Sequence, residues 1–129
     1  MIKTGILNPH VLSLLARVRH TNLIVIADRG FPYWPMIETV DLSLVDDVPT
    51  VEQVFRAVNL NFKIGEIYMA EEFNGANGDA ARERLREMAE GISIVFEPHV
   101  DLKKRVTGAI GLIRTGDTTQ YANMVLVSA

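Results

Sequence analysis

The feature that most constrains the fold is the apolar run Leu23–Ala27. It contains no polar residue, three of its five members are β-branched, and it ends at Asp28-Arg29-Gly30. A short run without alternation is expected of a strand that is buried on both faces of a sheet. Such a strand places Asp28 at its C-terminal edge.

Helix and strand signals alternate along the rest of the chain. Asn8 followed by Pro9 is typical of an N-cap with proline in the first turn. Thr50 and Gln53 have the spacing of a capping box. Apolar periodicity and turn residues predict the remaining elements. The full prediction is helices at 8–19, 50–58, 78–90 and 98–106, and strands at 23–27, 37–42, 64–70, 92–96, 109–113 and 124–127.

This alternation predicts an α/β protein with a mixed, largely parallel sheet and helices on both faces. No linker or internal repeat divides the 129 residues, so one domain over residues 1–129 is expected. Open sheets of this class bind ligands beyond the carboxyl ends of their strands. The candidate site residues are therefore the polar side chains just past each strand.

Composition excludes several classes of function. The chain has no cysteine, which excludes thiolate nucleophiles, cysteine-ligated zinc and iron–sulfur clusters. Its net charge of -3 argues against a nucleic-acid partner. No G-x-G-x-x-G motif supports a dinucleotide, and no apolar run approaches the ~18 residues of a membrane span. We expect a cytoplasmic protein without a cofactor or a metal and without a membrane or nucleic-acid partner.

Two residues at the ends of the first buried strand could share acid–base chemistry. His20 follows a helix and lies eight residues before Asp28. A histidine near a carboxylate can transfer protons near neutral pH, because its ordinary pKa is about 6.5. Taken alone, His20 is better explained as a helix C-terminal cap, and Asp28 fits a turn cap equally well.

Two further pairs have spacings that would bring polar groups together. His99 and Lys103 are four residues apart and would share one helical face, either as a polar cluster or as a solvated surface. Tyr121 and Asn123 are two apart at a predicted strand start, so they would face the same side of the sheet. A phenol and a carboxamide suit neutral hydroxyl groups. Both residue types also close turns.

Two other features have competing interpretations. Glu71-Glu72 at a strand end could be a general base or a metal site, but no accompanying histidine spacing supports this, and a solvated surface pair is the favoured interpretation. Tyr33-Trp34 is an aromatic pair between prolines, suited to stack on a sugar or against a neighbouring subunit.

Together these fragments resemble the D-ribose pyranase and L-fucose mutarotase family, known as the RbsD/FucU family, over nearly the whole chain. Each fragment is short, but their order and spacing are specific. The fragments are Gly5-Ile6-Leu7-Asn8, His20-Thr21, Ile26-Ala27-Asp28-Arg29-Gly30-Phe31-Pro32, Val40-Asp41-Leu42-Ser43-Leu44, Ile113-Arg114-Thr115-Gly116 and Tyr121-Ala122-Asn123.

The resemblance implies a three-layer α/β/α sandwich that assembles as a homo-oligomeric ring, a pentamer or a decamer, with sites at subunit boundaries. It implies an isomerase that interconverts ring forms or anomers of a free monosaccharide of the D-ribose or L-fucose type, with no cofactor. The resemblance identifies His20 as the catalytic residue. The substrate-binding residues that it implies are Asp28, His99, Lys103, Tyr121 and Asn123.

Departures from the family pattern leave some alternatives open. Arg29 and Tyr33-Trp34 stand where members usually have a short aliphatic or glycine-bearing segment, which leaves the sugar preference open. Lys104 would take the role of Lys103 if the match to the family pattern shifts by one residue.

Two other functions remain open. A non-catalytic sugar-binding or transport-accessory protein would keep the hydroxyl-binding residues without a proton shuttle. A structural ring protein would need neither the hydroxyl-binding residues nor the proton shuttle.

Overall fold

The computed structural model describes residues 1–3 and 5–129. The helices are α1 (Pro9–Arg17), α2 (Val51–Asn61), α3 (Glu72–Ala76), α4 (Asp79–Met88) and α5 (His99–Val106). The strands are β1 (Leu23–Ala27), β2 (Glu38–Asp41), β3 (Ile64–Ala70), β4 (Ser93–Glu97), β5 (Gly111–Arg114) and β6 (Met124–Ser128). None of the described helices is long and apolar enough to span a bilayer.

The six strands form one sheet in the order β2-β5-β1-β6-β3-β4. β1 is parallel to β5, β5 to β2, and β3 to β4. β6 runs antiparallel to both of its neighbours, β1 and β3. The other five strands therefore direct their carboxyl ends to one edge of the sheet, which confirms the predicted mixed, largely parallel arrangement.

β1 separates two apolar cores, as its unbroken apolar sequence predicts. Ile24 and Ile26 point into a core that also holds buried residues of α1, α2 and α4. Val25 and Ala27 point into a second core, which holds Leu102 and other residues of α5. The sheet is thus covered by helices on both faces, and the three-layer α/β/α architecture is confirmed.

The predicted caps form as expected. The Asn8 side chain accepts hydrogen bonds from the backbone of His10 and Val11 at 3.0 Å each. Thr50 and Gln53 make the reciprocal bonds of a capping box at the start of α2. These local contacts fix where two helices begin before any packing is considered.

Close packing of α1 on the sheet depends on Gly111 in β5. A Cβ atom at this position would lie 2.6 Å from a methyl group of Leu14, a fully buried residue of α1. The glycine allows the helix and the strand to approach.

The structure also differs from the sequence prediction. α3 is an additional short helix directly after β3, in the segment interpreted as a solvated pair of glutamates. α1 ends at Arg17, two residues early, because Val18 adopts an extended backbone. Phe73, the one buried residue of α3, anchors it to the core.

Candidate functional site

A cavity of about 410 Å³ opens at the carboxyl edge of the sheet. The end of β1, the start of α5 and the segment before β6 meet there. Five of the six candidate residues lie in its wall, together with four others. The lining residues are Asp28, Gly30, Phe31, Pro32, His99, Lys103, Gln120, Tyr121 and Asn123.

Asp28 and Asn123 form a reciprocal pair at the base of this cavity. The Asn123 carboxamide oxygen accepts the Asp28 backbone N–H at 2.7 Å, and its nitrogen donates to Asp28 Oδ2 at 3.1 Å. Asp28 Oδ1 accepts the Gly30 backbone N–H at 2.9 Å. Asn123 is only 2% exposed, so its amide is fixed in one orientation.

Burial raises the pKa of the Asp28 carboxyl above its ordinary value. The hydrogen bonds from Gly30 and Asn123 act in the opposite direction and stabilise the charged form, but burial is the larger effect. The nearby carboxyl of Asp117 adds to the rise.

α5 begins at His99 and brings two candidate residues to the cavity. The backbone N–H of His99 lies 3.0 Å from each carboxylate oxygen of Glu72. One turn later Lys103 also lines the cavity, whereas Lys104 forms an ion pair with Asp101 at 3.1 Å. The predicted shared helical face is confirmed, and the alternative lysine points elsewhere.

The His99 ring is held edge-on between two aromatic rings. Its centroid lies 5.1 Å from that of Tyr121 and 6.1 Å from that of Phe31. The Nδ1 atom is buried and has no hydrogen-bond partner among the described residues. Burial lowers the His99 pKa, and the ammonium of Lys103 lowers it further. The neutral imidazole, which carries one donor and one acceptor, is therefore favoured.

Tyr121 reaches the cavity through an unusual backbone. Its φ of 56° lies in the left-handed region, which costs energy for a non-glycine residue. β6 begins after Asn123, so the two residues precede the strand instead of opening it. Both nevertheless line the same cavity, as their spacing predicts.

Arg114, the last residue of β5, holds the loop after β1 in place. Its guanidinium donates to the carbonyl oxygens of Asp28 at 3.1 Å and Pro32 at 3.1 Å. Phe31 is buried in the second core and packs on Trp34 at 6.0 Å, while Tyr33 is 71% exposed. Neither Tyr33 nor Trp34, the pair expected to stack on a sugar or against a neighbouring subunit, lines the cavity.

His20 is the candidate residue that the structure does not bring to this cavity. It is exposed, in the turn before β1, where the Thr21 N–H donates to Ser128 O at 2.9 Å. β1 then runs from that turn to Asp28, and its five residues span roughly 13 Å at about 3.3 Å per residue. Within one chain, His20 and Asp28 lie at opposite ends of the strand.

Three residues of the site were missed by sequence reasoning. Glu72 was interpreted as a solvated surface residue, although it caps α5. Gln120 lines the cavity, and its carbonyl oxygen accepts from Asn77 at 2.9 Å. Arg114 lay within a family fragment without an assigned role. No local pattern marks them, because their partners are distant in sequence.

A second cavity, of about 330 Å³, lies on the other side of the segment before β6. Ala122 lines it, whereas its neighbours Tyr121 and Asn123 face the first cavity. Its walls are mainly apolar side chains of α4 and the sheet.

Within the described part of the chain, no three histidine or carboxylate side chains form a group that could hold a metal.

The sequence matches the RbsD / FucU transport protein family over residues 1–129. It is 41% identical to the D-ribose pyranase of Geobacillus kaustophilus over 128 residues, which cover 99% of this chain and 93% of the relative. It is 35% identical to the D-ribose pyranase of Limosilactobacillus fermentum, with 99% and 97% of the two chains covered.

The fold is similar to that of Bacillus subtilis RbsD in complex with D-ribose. The TM-score is 0.93 at 31% identity, with 100% of this chain and 98% of the other covered. A fucose mutarotase from Streptococcus pneumoniae in complex with L-fucose shares the fold at a TM-score of 0.81 and 20% identity, over 98% and 94% of the two chains.

Proposed function

Because the chain belongs to the RbsD / FucU family, we propose that it opens and recloses the hemiacetal ring of a free monosaccharide at the cavity described above. It is an isomerase of the pyranase and mutarotase kind. The observation that carries the proposal is the lining of the cavity, where a carboxylate, a carboxamide, an imidazole, an ammonium and a phenol converge. These groups suit the hydroxyls of a neutral sugar.

A sugar of the D-ribose type is the first substrate to test. The relatives named D-ribose pyranase align with nearly the whole chain. The similar structure of Bacillus subtilis RbsD was solved with D-ribose. An L-fucose type of substrate is the second choice, since the similarity to the fucose mutarotase supports the fold alone.

Asp28 and Asn123 are proposed to bind sugar hydroxyls at the base of the cavity. The Asp28 carboxylate accepts hydrogen bonds from Gly30, Phe31 and Asn123, and its two oxygens keep capacity to accept another from a hydroxyl. Asn123 uses its oxygen and one N–H on Asp28, which leaves one N–H for a ligand. The pair is already oriented by its own two hydrogen bonds, so little ordering is needed on binding.

His99, Lys103 and Tyr121 are proposed to fix the sugar from the side of α5. A neutral His99 can share a hydrogen bond with a hydroxyl through Nε2, since Nδ1 is buried. Lys103 and Tyr121 add donors, and the Phe31 ring closes the wall with an apolar surface. Cavities that bind small molecules commonly combine apolar walls with a few placed polar groups.

His20 is proposed to transfer the proton. Ring opening removes the proton from the anomeric hydroxyl and protonates the ring oxygen, so that the ring C–O bond breaks and a carbonyl forms; reclosure reverses these steps. Since His20 and Asp28 of one chain lie at opposite ends of β1, the His20 that serves this cavity comes from a neighbouring copy.

The same proposal includes assembly into a ring of five or ten copies, with sites at subunit boundaries. It also includes a cytoplasmic location. Exposed apolar side chains in the segment before α2 support assembly: Leu44 is 77% exposed and Val45 62%. Burying such residues between copies would remove apolar surface from water.

Saturation-transfer NMR on D-ribose and on L-fucose tests the proposal. The protein is expected to accelerate exchange between ring forms of one sugar, and His20→Ala is expected to abolish the acceleration without unfolding the chain. His10→Ala, at an exposed position in α1, is the matched control and should exchange normally. Normal exchange by His20→Ala would remove His20 from the mechanism.

A sugar-binding or transport-accessory function is the second candidate, because the family is described as a transport protein family. Such a protein would use the same cavity. Tight sugar binding by calorimetry, with no exchange above background for either sugar, would establish this function and refute the isomerase.

A further inference from the structure

We propose that Glu72 is a positioning residue for the sugar site, which acts by fixing the start of α5 and with it the His99 ring. The inference rests on the proposed function in one respect, namely that His99 binds the sugar. Glu72 itself does not line the cavity, so it would act through His99.

The geometry gives α5 a cap from another element. Both carboxylate oxygens of Glu72 lie 3.0 Å from the His99 backbone nitrogen. The N-cap position of α5 is Pro98, whose side chain makes no capping hydrogen bond. The first N–H groups of a helix have no partner within it, and a carboxylate there is also favoured by the helix dipole. Glu72 therefore takes the place of a local cap.

The position of Glu72 is itself fixed by its neighbours. Glu72 is the first residue of α3, and Phe73 beside it is buried in the core with 4% exposure. The Glu71 N–H donates to the Glu97 carbonyl oxygen at 2.8 Å, which ties the start of α3 to the end of β4. A carboxylate held in this way can specify where α5 begins.

The position of α5 matters because the His99 ring has little room. It packs edge-on against Tyr121 and Phe31, with centroids 5.1 and 6.1 Å away. Lys103 follows one turn later on the same face. A displacement of the first turn would move both His99 and Lys103 relative to Asp28 across the cavity.

Charge provides a second link between Glu72 and His99. The carboxylates of Glu72 and Asp28 raise the His99 pKa, against the stronger lowering by burial and by Lys103. The Tyr121 phenol is the remaining titratable group that packs against the ring. Removing the Glu72 charge should therefore lower the His99 pKa further.

The experiment compares Glu72→Ala, Glu72→Gln and the matched control Glu71→Gln, an exposed neighbour whose side chain makes no capping bond. Sugar affinity is measured by calorimetry and the His99 pKa by NMR titration of the imidazole. Glutamine keeps one acceptor for the His99 N–H, which guards against loss of folding in the alanine variant.

We expect Glu72→Ala to weaken sugar binding on the order of tenfold, because a misplaced His99 would lose its hydrogen bond to the sugar. Glu72→Gln should retain more affinity, both variants should lower the His99 pKa, and Glu71→Gln should match the wild type. Lower thermal stability with unchanged affinity and unchanged His99 pKa would mean a purely structural cap and would overturn the proposal.

The NMR titration separates this inference from the proposed function, because it needs no sugar. A lower His99 pKa in Glu72→Ala supports the link between the two residues even if neither sugar binds, and in that case the proposed function alone fails. An identical pKa in wild type and variant overturns the link even if the wild type is an active isomerase.

Discussion

At the scale of single residues, burial acts on the two titratable groups Asp28 and His99 in opposite directions. It raises the pKa of the Asp28 carboxyl and lowers that of the His99 imidazole. In both cases burial disfavours the charged form, because a partly buried site solvates charge less well than water does. A carboxylate accepts hydrogen bonds and a neutral imidazole carries one donor and one acceptor, so the two groups are complementary to the hydroxyls of a sugar.

The lowered His99 pKa predicts a loss of stability on mild acidification. In the unfolded chain His99 takes up a proton as the pH falls through about 6.5, whereas the folded chain does so only at lower pH. Between these two values the unfolded state binds more protons, so the free energy of unfolding decreases as the pH falls, by at most about 1.4 kcal/mol per pH unit for one proton.

Denaturant unfolding at several pH values from 7.5 downward, in the wild type and in His99→Gln, measures this effect. The variant is expected to show a flatter pH dependence below about 6.5, since it lacks the titrating group. His10→Gln, at an exposed site in α1, should keep the wild-type slope. Equal slopes for wild type and His99→Gln would contradict the assignment.

At the scale of helices and strands, the elements with local signals were predictable. The unbroken run of β1 and the caps at Asn8 and Thr50 placed three elements because each signal lies within a few residues of the element it starts. α3 gave no such signal: it has five residues, one of them Gly75, and a single buried anchor. Periodicity cannot be recognised over so short a segment.

The same distinction applies to the site. Most of its lining residues could be predicted from the strand ends and from the family resemblance, whereas Gln120 could not. The residues that hold the site in place could not be predicted. Glu72 and His99 are 27 residues apart in sequence, and Arg114 is 86 residues from Asp28, whose carbonyl it holds. Contacts of this range are set by the order of strands in the sheet, which no local pattern encodes.

The loop after β5 offers a test of packing between elements. A Cβ atom at Gly116 would lie 2.3 Å from the carbonyl oxygen of Val45 and 3.0 Å from that of Val48. Backbone atoms cannot turn aside as a side chain does, so Gly116→Ala must displace the segment before α2. We expect it to destabilise the protein by about 1–3 kcal/mol.

Gly75→Ala is the matched control, because nothing lies within 4 Å of its added Cβ and alanine favours a helix over glycine. It should be neutral or stabilising by up to about 1 kcal/mol. Both variants are compared by denaturant unfolding. If Gly116→Ala is as stable as Gly75→Ala, the close approach of the two loops is not a constraint on the fold.

At the scale of the whole molecule, the sheet itself separates the proposed proton shuttle from the proposed sugar-binding residues. β1 is a buried strand of five residues between His20 and Asp28, and no rotation of side chains brings His20 to the cavity beyond its other end. A contact between copies places different surfaces of the same chain together, and head-to-tail contacts whose rotation closes generate rings. Assembly of at least two copies is thus a geometric requirement of the proposed chemistry, and the proposed ring meets it.

Subunit mixing tests this requirement directly. His20→Ala and Asp28→Ala are each expected to be inactive in the exchange assay, because every site then lacks one of its two residues. In rings reassembled from equal amounts of both, a complete site needs a His20→Ala subunit to supply Asp28 and an Asp28→Ala neighbour to supply His20. Random mixing makes about a quarter of the sites complete, so about a quarter of wild-type activity should return. Mixing His20→Ala with the double variant should restore none, since no His20 is present. If the first mixture stays inactive although the subunits have exchanged, His20 and Asp28 are not shared between neighbouring copies.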